Sequence, residues 1–73
     1  MNGAIIKAWA KKPENKERAI ALGKRLYENQ DDAEALRSLP SLGEFEDKAI
    51  EWAINHPVRA KTLVIQLLPL LLK

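Results

Sequence analysis

The sequence predicts an all-α protein, a single globular domain of about five helices over residues 1–73 with its long apolar C-terminal helix in the centre. Apolar residues recur at helical spacing along most of the chain, and no stretch alternates with the period of two that a half-buried strand requires. Prolines and capping residues divide the sequence into five segments. Since the chain has no cysteine, apolar packing must stabilise it without a disulfide or a thiolate metal site.

The first predicted helix covers residues 2–12 and ends at Pro13. Asn2 stands just before the apolar residues and is a candidate N-cap. The residues predicted to share the inner face have the i, i+3, i+4 spacing of a helix, and they are Ile5, Ala8 and Trp9.

The second predicted helix covers residues 13–29, and Pro13 suits its first position because a proline there loses no helical hydrogen bond. Glu14 and Glu17 favour the positive end of the helix dipole. Gly23 lies within the apolar stripe, where it lets two backbones approach closely. The stripe and its flank consist of Ala19, Leu22, Gly23, Leu26, Ile20 and Tyr27.

The third and fourth predicted helices, DDAEALRSL and SLGEFEDKAIEWAIN, each begin with the residue spacing of a capping box. Asp31 and Glu34 form the pair in the third helix, and Ser41 and Glu44 form it in the fourth. The predicted core residues are Leu36 and Leu39 in the third helix, then Leu42, Phe45, Ala49, Trp52 and Ala53 in the fourth.

The fifth predicted helix begins at Pro57, with His56 or Asn55 as its cap, and includes the apolar sequence LVIQLLPLLLK. Its polar residues fall on one narrow line, so we expect a central helix that is buried on most sides. Pro69 lacks an N–H group, so the helix should kink or end near Leu68. A handle for a protein partner and contact with a membrane surface are the alternatives for this segment.

If the fifth helix is central, Leu63, Val64 and Leu67 should be almost fully buried, and Gln66 should be the most exposed residue between Leu63 and Leu68. The apolar run cannot span a membrane, because its ten residues give ~15 Å of helix against a hydrocarbon core of ~30 Å. The N-terminal residues lack the regions of a secretory signal. We therefore expect a soluble protein, of cytoplasmic type if it is a natural one, with its location otherwise open.

The formal net charge is +2, but the charges are unevenly distributed. Residues 1–25 carry seven Lys or Arg and two Glu, residues 26–51 carry eight acids and two bases, and residues 52–73 carry three bases and no acid. Such alternation is common between packed neighbouring helices. It indicates attraction between elements more readily than a partner surface.

No residue pattern indicates an enzyme, a cofactor site or a metal site. His56 precedes a proline in a helix connection and has no nearby Ser or Cys nucleophile. The three glycines are isolated and form no phosphate-binding loop. The acids stand around helix starts, where capping and the helix dipole explain them; they are Glu28, Asp31, Asp32, Glu34, Glu44, Glu46 and Asp47.

Nucleic-acid binding is not expected either. The sequence AIALG has the Ala–Gly separation of a helix-turn-helix, but Asn29 and Asp32 stand where that motif needs apolar residues. LPLLL formally matches a Leu-x-x-Leu-Leu peptide, although Pro69 hinders the helix that such a peptide forms. The basic residues lack the interleaved aromatic side chains that stack on bases; they are Lys7, Lys11, Lys12, Lys16, Lys24 and Arg25.

The segment YENQDDAEALRSLPSLGEF resembles the middle of sterile-alpha-motif domains, where an aromatic residue, an acidic turn and a short Leu-rich helix follow in this order. HPVRAKTLVIQLL is similar to the long last helix of those domains. The sequence departs from the family at Asp32, where glycine is usual, and in its longer fourth helix. The resemblance implies a protein–protein interaction module, with head-to-tail self-association as one option.

The chain also resembles computationally designed, de novo all-α proteins, because nearly every element carries its own start and stop signals. This resemblance implies a monomeric, scaffold-like helical domain with no natural biochemical activity, no cofactor and no expected partner. The natural helical interaction module is the alternative function. Weak self-association or a protein partner is expected only in that second case.

We predict that affinity for non-specific DNA is no better than ~10⁻⁴ M at physiological salt, the weak end of such binding. The reason is that the basic N-terminal part carries no base-stacking groups and the middle of the chain is acidic. A fluorescence titration with a labelled duplex measures this affinity. A micromolar dissociation constant that weakens steeply with added salt would contradict the prediction.

Overall fold

Five α-helices joined by short turns make up the chain, and the computed structural model describes all 73 residues without a strand. The prediction of an all-α fold with five helices is therefore confirmed. The molecule measures 30 × 22 × 21 Å. The helices are α1 (Gly3–Ala10), α2 (Lys16–Glu28), α3 (Ala33–Ser38), α4 (Glu44–Asn55) and α5 (Pro57–Leu71).

Helix α1 begins as predicted, because the Asn2 side chain accepts a hydrogen bond from the backbone N–H of Ile5 at 3.0 Å. Its predicted inner face was wrong by about one position. The helix buries Ile6 and Ala10, while Ile5 and Ala8 are exposed. Eight residues make only two turns, so both sets of residues satisfy the helical spacing and the packing against α2 and α5 decides between them.

Helix α2 begins three residues later than predicted. Pro13 opens a short 3-10 turn, Pro13–Asn15, and the α-helix starts at Lys16. The buried Asn15 side chain donates a hydrogen bond to the carbonyl of Trp9 at 3.0 Å, which ties this turn to the end of α1. The predicted apolar stripe is confirmed, with Ala19, Leu22 and Leu26 buried.

Both predicted capping boxes were wrong. Asp32, and not Asp31, caps α3 by accepting a hydrogen bond from the N–H of Ala35. Helix α4 starts at Glu44 after Gly43, whose φ of +144° favours glycine, and the Ser41 hydroxyl instead donates to Asp47. The N-cap therefore lies one residue later than predicted in α3 and two residues later in α4.

Burial in α3 and α4 departs from the prediction at five residues, of which Phe45 is only partly buried. Leu39 is exposed after the end of α3, and Leu42 lies outside α4. Helix α4 also buries Glu46 and Ile50, which the sequence stripe had left out. The predicted residues that are confirmed as buried are Leu36, Ala49, Trp52 and Ala53.

Helix α5 is the central element, as predicted, because α1, α2 and α4 all pack against it. Leu63, Val64 and Leu67 are buried. The helix does not end near Leu68 but continues through Pro69 to Leu71. A proline in the last turn removes only one hydrogen bond, so the helix can accommodate it there.

Helix α5 is less buried than predicted, because one of its sides is exposed. Gln66 is exposed, but so is its neighbour Ile65, at 66%, which was expected on a buried side of the helix. Gly23 of α2 fits against the inner edge of the helix, since a Cβ atom at this position would lie 2.7 Å from Leu68 Cδ2. Gly23 was predicted to let two backbones approach closely. In the structure it instead makes room for the Leu68 side chain.

We predict that Leu67→Ala lowers the free energy of unfolding by ~2–5 kcal/mol, the usual cost of truncating a buried leucine. A domain of this size has as little as ~5 kcal/mol in total, so the variant should melt far below the parent or be unfolded. Gln66→Ala and Ile65→Ala are the matched controls on the same helix and should change stability by no more than ~0.5 kcal/mol. Thermal melts followed by circular dichroism measure all three; equal, small effects would contradict the core role of α5.

Candidate functional site

His56 lies at the joint between α4 and α5, where sequence analysis placed it as a cap or loop residue. Its ring stacks on Trp52 at 5.4 Å between centroids, and its Nδ1 atom lies 3.0 Å from the Trp52 carbonyl oxygen. Its side chain makes no capping hydrogen bond to α5. The contacts of the ring are therefore with α4, the helix that ends at this joint, and not with α5.

Most of the acids predicted around helix starts lie there, with Glu34 in the first turn of α3 and Glu44 and Asp47 in the first turn of α4. The prediction was wrong for Glu28, which is the last residue of α2. No three His, Asp or Glu side chains come together in a geometry that could hold a metal ion. No helix has the length and apolar character needed to cross a membrane.

Glu46 is the exception among the acids, because its side chain is 1% exposed. Arg18 of α2 reaches it with two parallel hydrogen bonds, from Nε to Oε2 at 2.8 Å and from Nη2 to Oε1 at 2.6 Å. Bidentate pairs of this kind are strong and fix orientation as well as distance. The pair joins α2 to α4 through two side chains separated by 28 residues in the sequence.

An aromatic stack covers the arginine. Trp9 of α1 lies parallel to Phe45 of α4 at 4.5 Å between ring centroids, and the Arg18 guanidinium carbon is 5.3 Å from the centre of the Trp9 ring. A cation over an indole face is attracted by its quadrupole. Helices α1, α2 and α4 therefore meet at the Arg18–Glu46 ion pair and the aromatic stack beside it.

The backbone also makes room for the carboxylate. A Cβ atom on Gly43 would lie 2.6 Å from Glu46 Oε1. Gly43 is thus required twice, once by its positive φ and once by the close approach of the Glu46 side chain.

The Arg18 guanidinium, by hydrogen bonding, holds the pKa of the Glu46 carboxyl below its ordinary value, against the opposing effect of burial. The same bond raises the pKa of Arg18. A carboxyl that stays ionised in this way has no proton to give as a general acid at neutral pH. The arrangement is suited to holding helices together.

Sequence reasoning missed this pair because it treated Glu46 as one of several acids at a helix start. A signal was nevertheless present. Glu46 precedes Ile50 by four residues and Ala53 by seven, so it continues the buried face of α4 toward its first turn. An acid at a core position requires a partner.

The basic residues considered for nucleic-acid binding line more than one hollow of the surface. Lys11, Lys12 and Lys16 line a hollow beside the last turn of α5. Lys7 lies in a different hollow, between α1 and α5. Arg25 is directed away from both and donates a hydrogen bond to the Pro40 carbonyl.

The leucines of LPLLL are divided between core and surface. Leu71 is buried and Leu68 packs against the core, whereas Leu70 and Leu72 are exposed. Leu68 and Leu71, the first and fourth positions of the formal Leu-x-x-Leu-Leu match, therefore pack inward. A partner could bind both of them only if α5 unfolded.

The four most exposed large apolar side chains occupy one side of the molecule. Tyr27 of α2 and Ile65 of α5 line the same hollow. Val58 and Leu72 stand seven residues before and after Ile65 and so lie on the same side of α5. We call these four residues the outer face; their exposures are Val58 76%, Ile65 66%, Tyr27 56% and Leu72 55%.

No protein-family model, curated protein or solved structure matches this chain.

We predict that Glu46→Gln lowers stability by ~1.5–3 kcal/mol at neutral pH, the range for a hydrogen bond to a charged group. Because the folded-state pKa of Glu46 lies below its unfolded-state value, the pair stabilises the fold above that unfolded value, ~4.3. This contribution is lost as the pH falls through the folded-state pKa. Urea unfolding of parent and variant at several pH values should therefore converge in acid.

Arg18→Met should reverse the pH dependence at this site, because burial then raises the pKa of an unpaired Glu46 and the fold loses stability as the pH rises. Glu51→Gln is the matched control, since its partner Arg37 is 3.4 Å away on an exposed surface and such pairs contribute little. Parallel pH profiles for the parent, Glu46→Gln and Arg18→Met would contradict this account.

Proposed function

We propose that this chain is a non-enzymatic helical interaction module that receives a protein partner on its outer face. The observation that supports this most is the grouping of the four most exposed large apolar side chains on one side. Scattered exposed apolar residues are normal on a small protein, but several on one side of the molecule are typical of a contact surface.

The arrangement of titratable groups favours a role in binding over catalysis. The one buried acid, Glu46, is kept ionised by Arg18. A general acid or base works best with a pKa near the operating pH. His56 is stacked against Trp52 in a helix joint and has no nucleophile to activate.

The second candidate is a designed or scaffold-like domain with no natural biochemical activity. Its support is the local order of the structure: Asn2 and Asp32 cap their helices, Pro57 opens α5, and every buried side-chain polar atom has a hydrogen-bond partner. Designed surfaces avoid contiguous apolar groups, so the outer face favours the interaction module. The resemblance of residues 27–45 to sterile-alpha-motif domains stays a prediction beside both.

We predict that helical peptides selected by display against the intact protein bind the outer face. Ile65→Glu should weaken their binding by at least tenfold, ~1.4 kcal/mol, because it places a charge in the middle of the apolar contact. Ile5→Glu is the matched control, since Ile5 is 48% exposed on α1. Melting curves of both variants verify that each is folded.

The two candidate functions give different results in this experiment. A scaffold without a contact surface would yield no peptide whose binding depends on Ile65. Sizing of the parent over a range of concentrations completes the comparison, because a complex that forms with concentration and disappears in Ile65→Glu would identify self-association as the module's contact.

A further inference from the structure

We infer that the partner on the outer face is an amphipathic α-helix whose flanking residues are acidic. This inference rests on the interaction module proposed above and names the chemistry of its partner. Three features support it: the spacing of the exposed residues of α5, the charges beside them, and the packing of both tryptophans, in α1 and α4, against the rest of the fold.

The exposed side of α5 has the spacing of a helix–helix contact. Val58, Thr62, Ile65, Pro69 and Leu72 follow one another at steps of four, three, four and three residues, and all five are exposed. This is the a/d pattern by which one helix packs along another. The row is ~21 Å long at 1.5 Å per residue, which matches four turns of a partner helix.

Helix α2 provides a second wall beside this row. It runs antiparallel to α5, since Gly23 lies against Leu68 while Asp31, beyond the end of α2, contacts Lys61 near the start of α5. Tyr27 projects from α2 into the hollow that Ile65 lines. A partner helix laid on α5 would therefore also contact an aromatic side chain on α2.

The flanking positions of the first heptad of the row are basic, those of the second heptad, Gln66 and Leu68, are uncharged, and none is acidic. In a heptad with Val58 and Ile65 at d, Arg59 falls at e and Lys61 at g, the positions whose charges select the partner. No Asp or Glu occurs in α5. Arg59 has no carboxylate within 4.0 Å, and Lys61 contacts only the exposed Asp31. Acidic e and g positions on the partner would complement these charges.

The same charges argue against a second copy of this chain on the outer face. If two α5 helices paired through their rows, each would present the basic flanking residues of α5 to the other, and the acid beside them, Asp31, is already paired with Lys61 of its own chain. Like charges at these positions disfavour pairing. The occupant that fits is a different helix, with Glu or Asp beside its apolar seam.

An anionic membrane is the other surface that would attract basic and apolar residues together. Interfacial helices typically place Trp or Phe in the lipid. Here Trp52 is buried, and Trp9 and Phe45 are stacked on one another against the core. Tyr27 is the one exposed aromatic residue on the outer face, and the side chains that would anchor the protein in lipid are already packed within the fold.

Two matched peptides test the inference directly. Both carry ~3 heptads with Leu at a and d and Ala at the outer positions, and they differ only in having Glu or Lys at e and g. Each peptide is fluorescein-labelled and titrated with the intact protein in an anisotropy assay. Like charges at e and g keep each peptide from pairing with itself.

We expect the Glu peptide to bind at least tenfold more tightly than the Lys peptide at ~50 mM salt. The difference should shrink toward 1 M salt, where the Debye length falls to ~3 Å. The double variant Arg59→Glu, Lys61→Glu should lose or reverse the preference, while Arg59→Gln, Lys61→Gln should reduce it. Lys48→Glu places one charge reversal on exposed α4 and should leave it unchanged; melting curves verify the fold of each variant.

Each other outcome overturns the inference in a distinguishable way. Equal binding of both peptides would remove the charge preference, and failure of both would remove the helical partner; the proposed function would then still stand if displayed peptides depend on Ile65. Tighter association with phosphatidylserine vesicles than with the Glu peptide would identify a membrane. A dimer that Ile65→Glu dissociates would identify a second copy.

Discussion

The constraint on which this structure depends is that one helix must supply a core to three others. Helix α5 contributes Ala60, Leu63, Val64, Leu67 and Leu71 to a buried cluster of fifteen apolar residues, and α1, α2 and α4 each close part of its circumference. A short chain without disulfides has little other means of stabilisation. The side of α5 that remains uncovered is a consequence of having only a few short helices to place around it.

Apolar packing alone leaves the angles between those helices weakly specified, and the Arg18–Glu46 pair restricts them. The two parallel hydrogen bonds require a particular separation and orientation of α2 and α4. Trp9 and Phe45 add α1 to the same contact. Since the arginine remains half exposed while the carboxylate is buried, only one of the two charges loses most of its water, and the desolvation cost is lower than for a fully buried pair.

The fold class, the number of helices and the central position of α5 could be predicted from the sequence, because apolar periodicity and prolines act locally. The inner face of α1 could not, since two turns of helix permit both Ile5 and Ile6 as core residues. The starts of α3 and α4 depend on turn geometry at Asp32 and Gly43, which residue spacing does not determine. The Arg18–Glu46 pair needs two distant segments to be placed side by side. The outer face could be recognised only once neighbouring helices showed which side of α5 they leave uncovered.

The close contact between Gly23 and the Leu68 side chain limits which substitutions these two positions can accept. A single methyl group on α2 would meet Leu68 Cδ2 at 2.7 Å, so the volume available at the two positions is shared between them. A larger residue at position 23 becomes acceptable when position 68 is occupied by a smaller one, such as valine or alanine. The residue sizes tolerated at these two positions are therefore coupled through a common volume, although the positions are 45 residues apart in sequence.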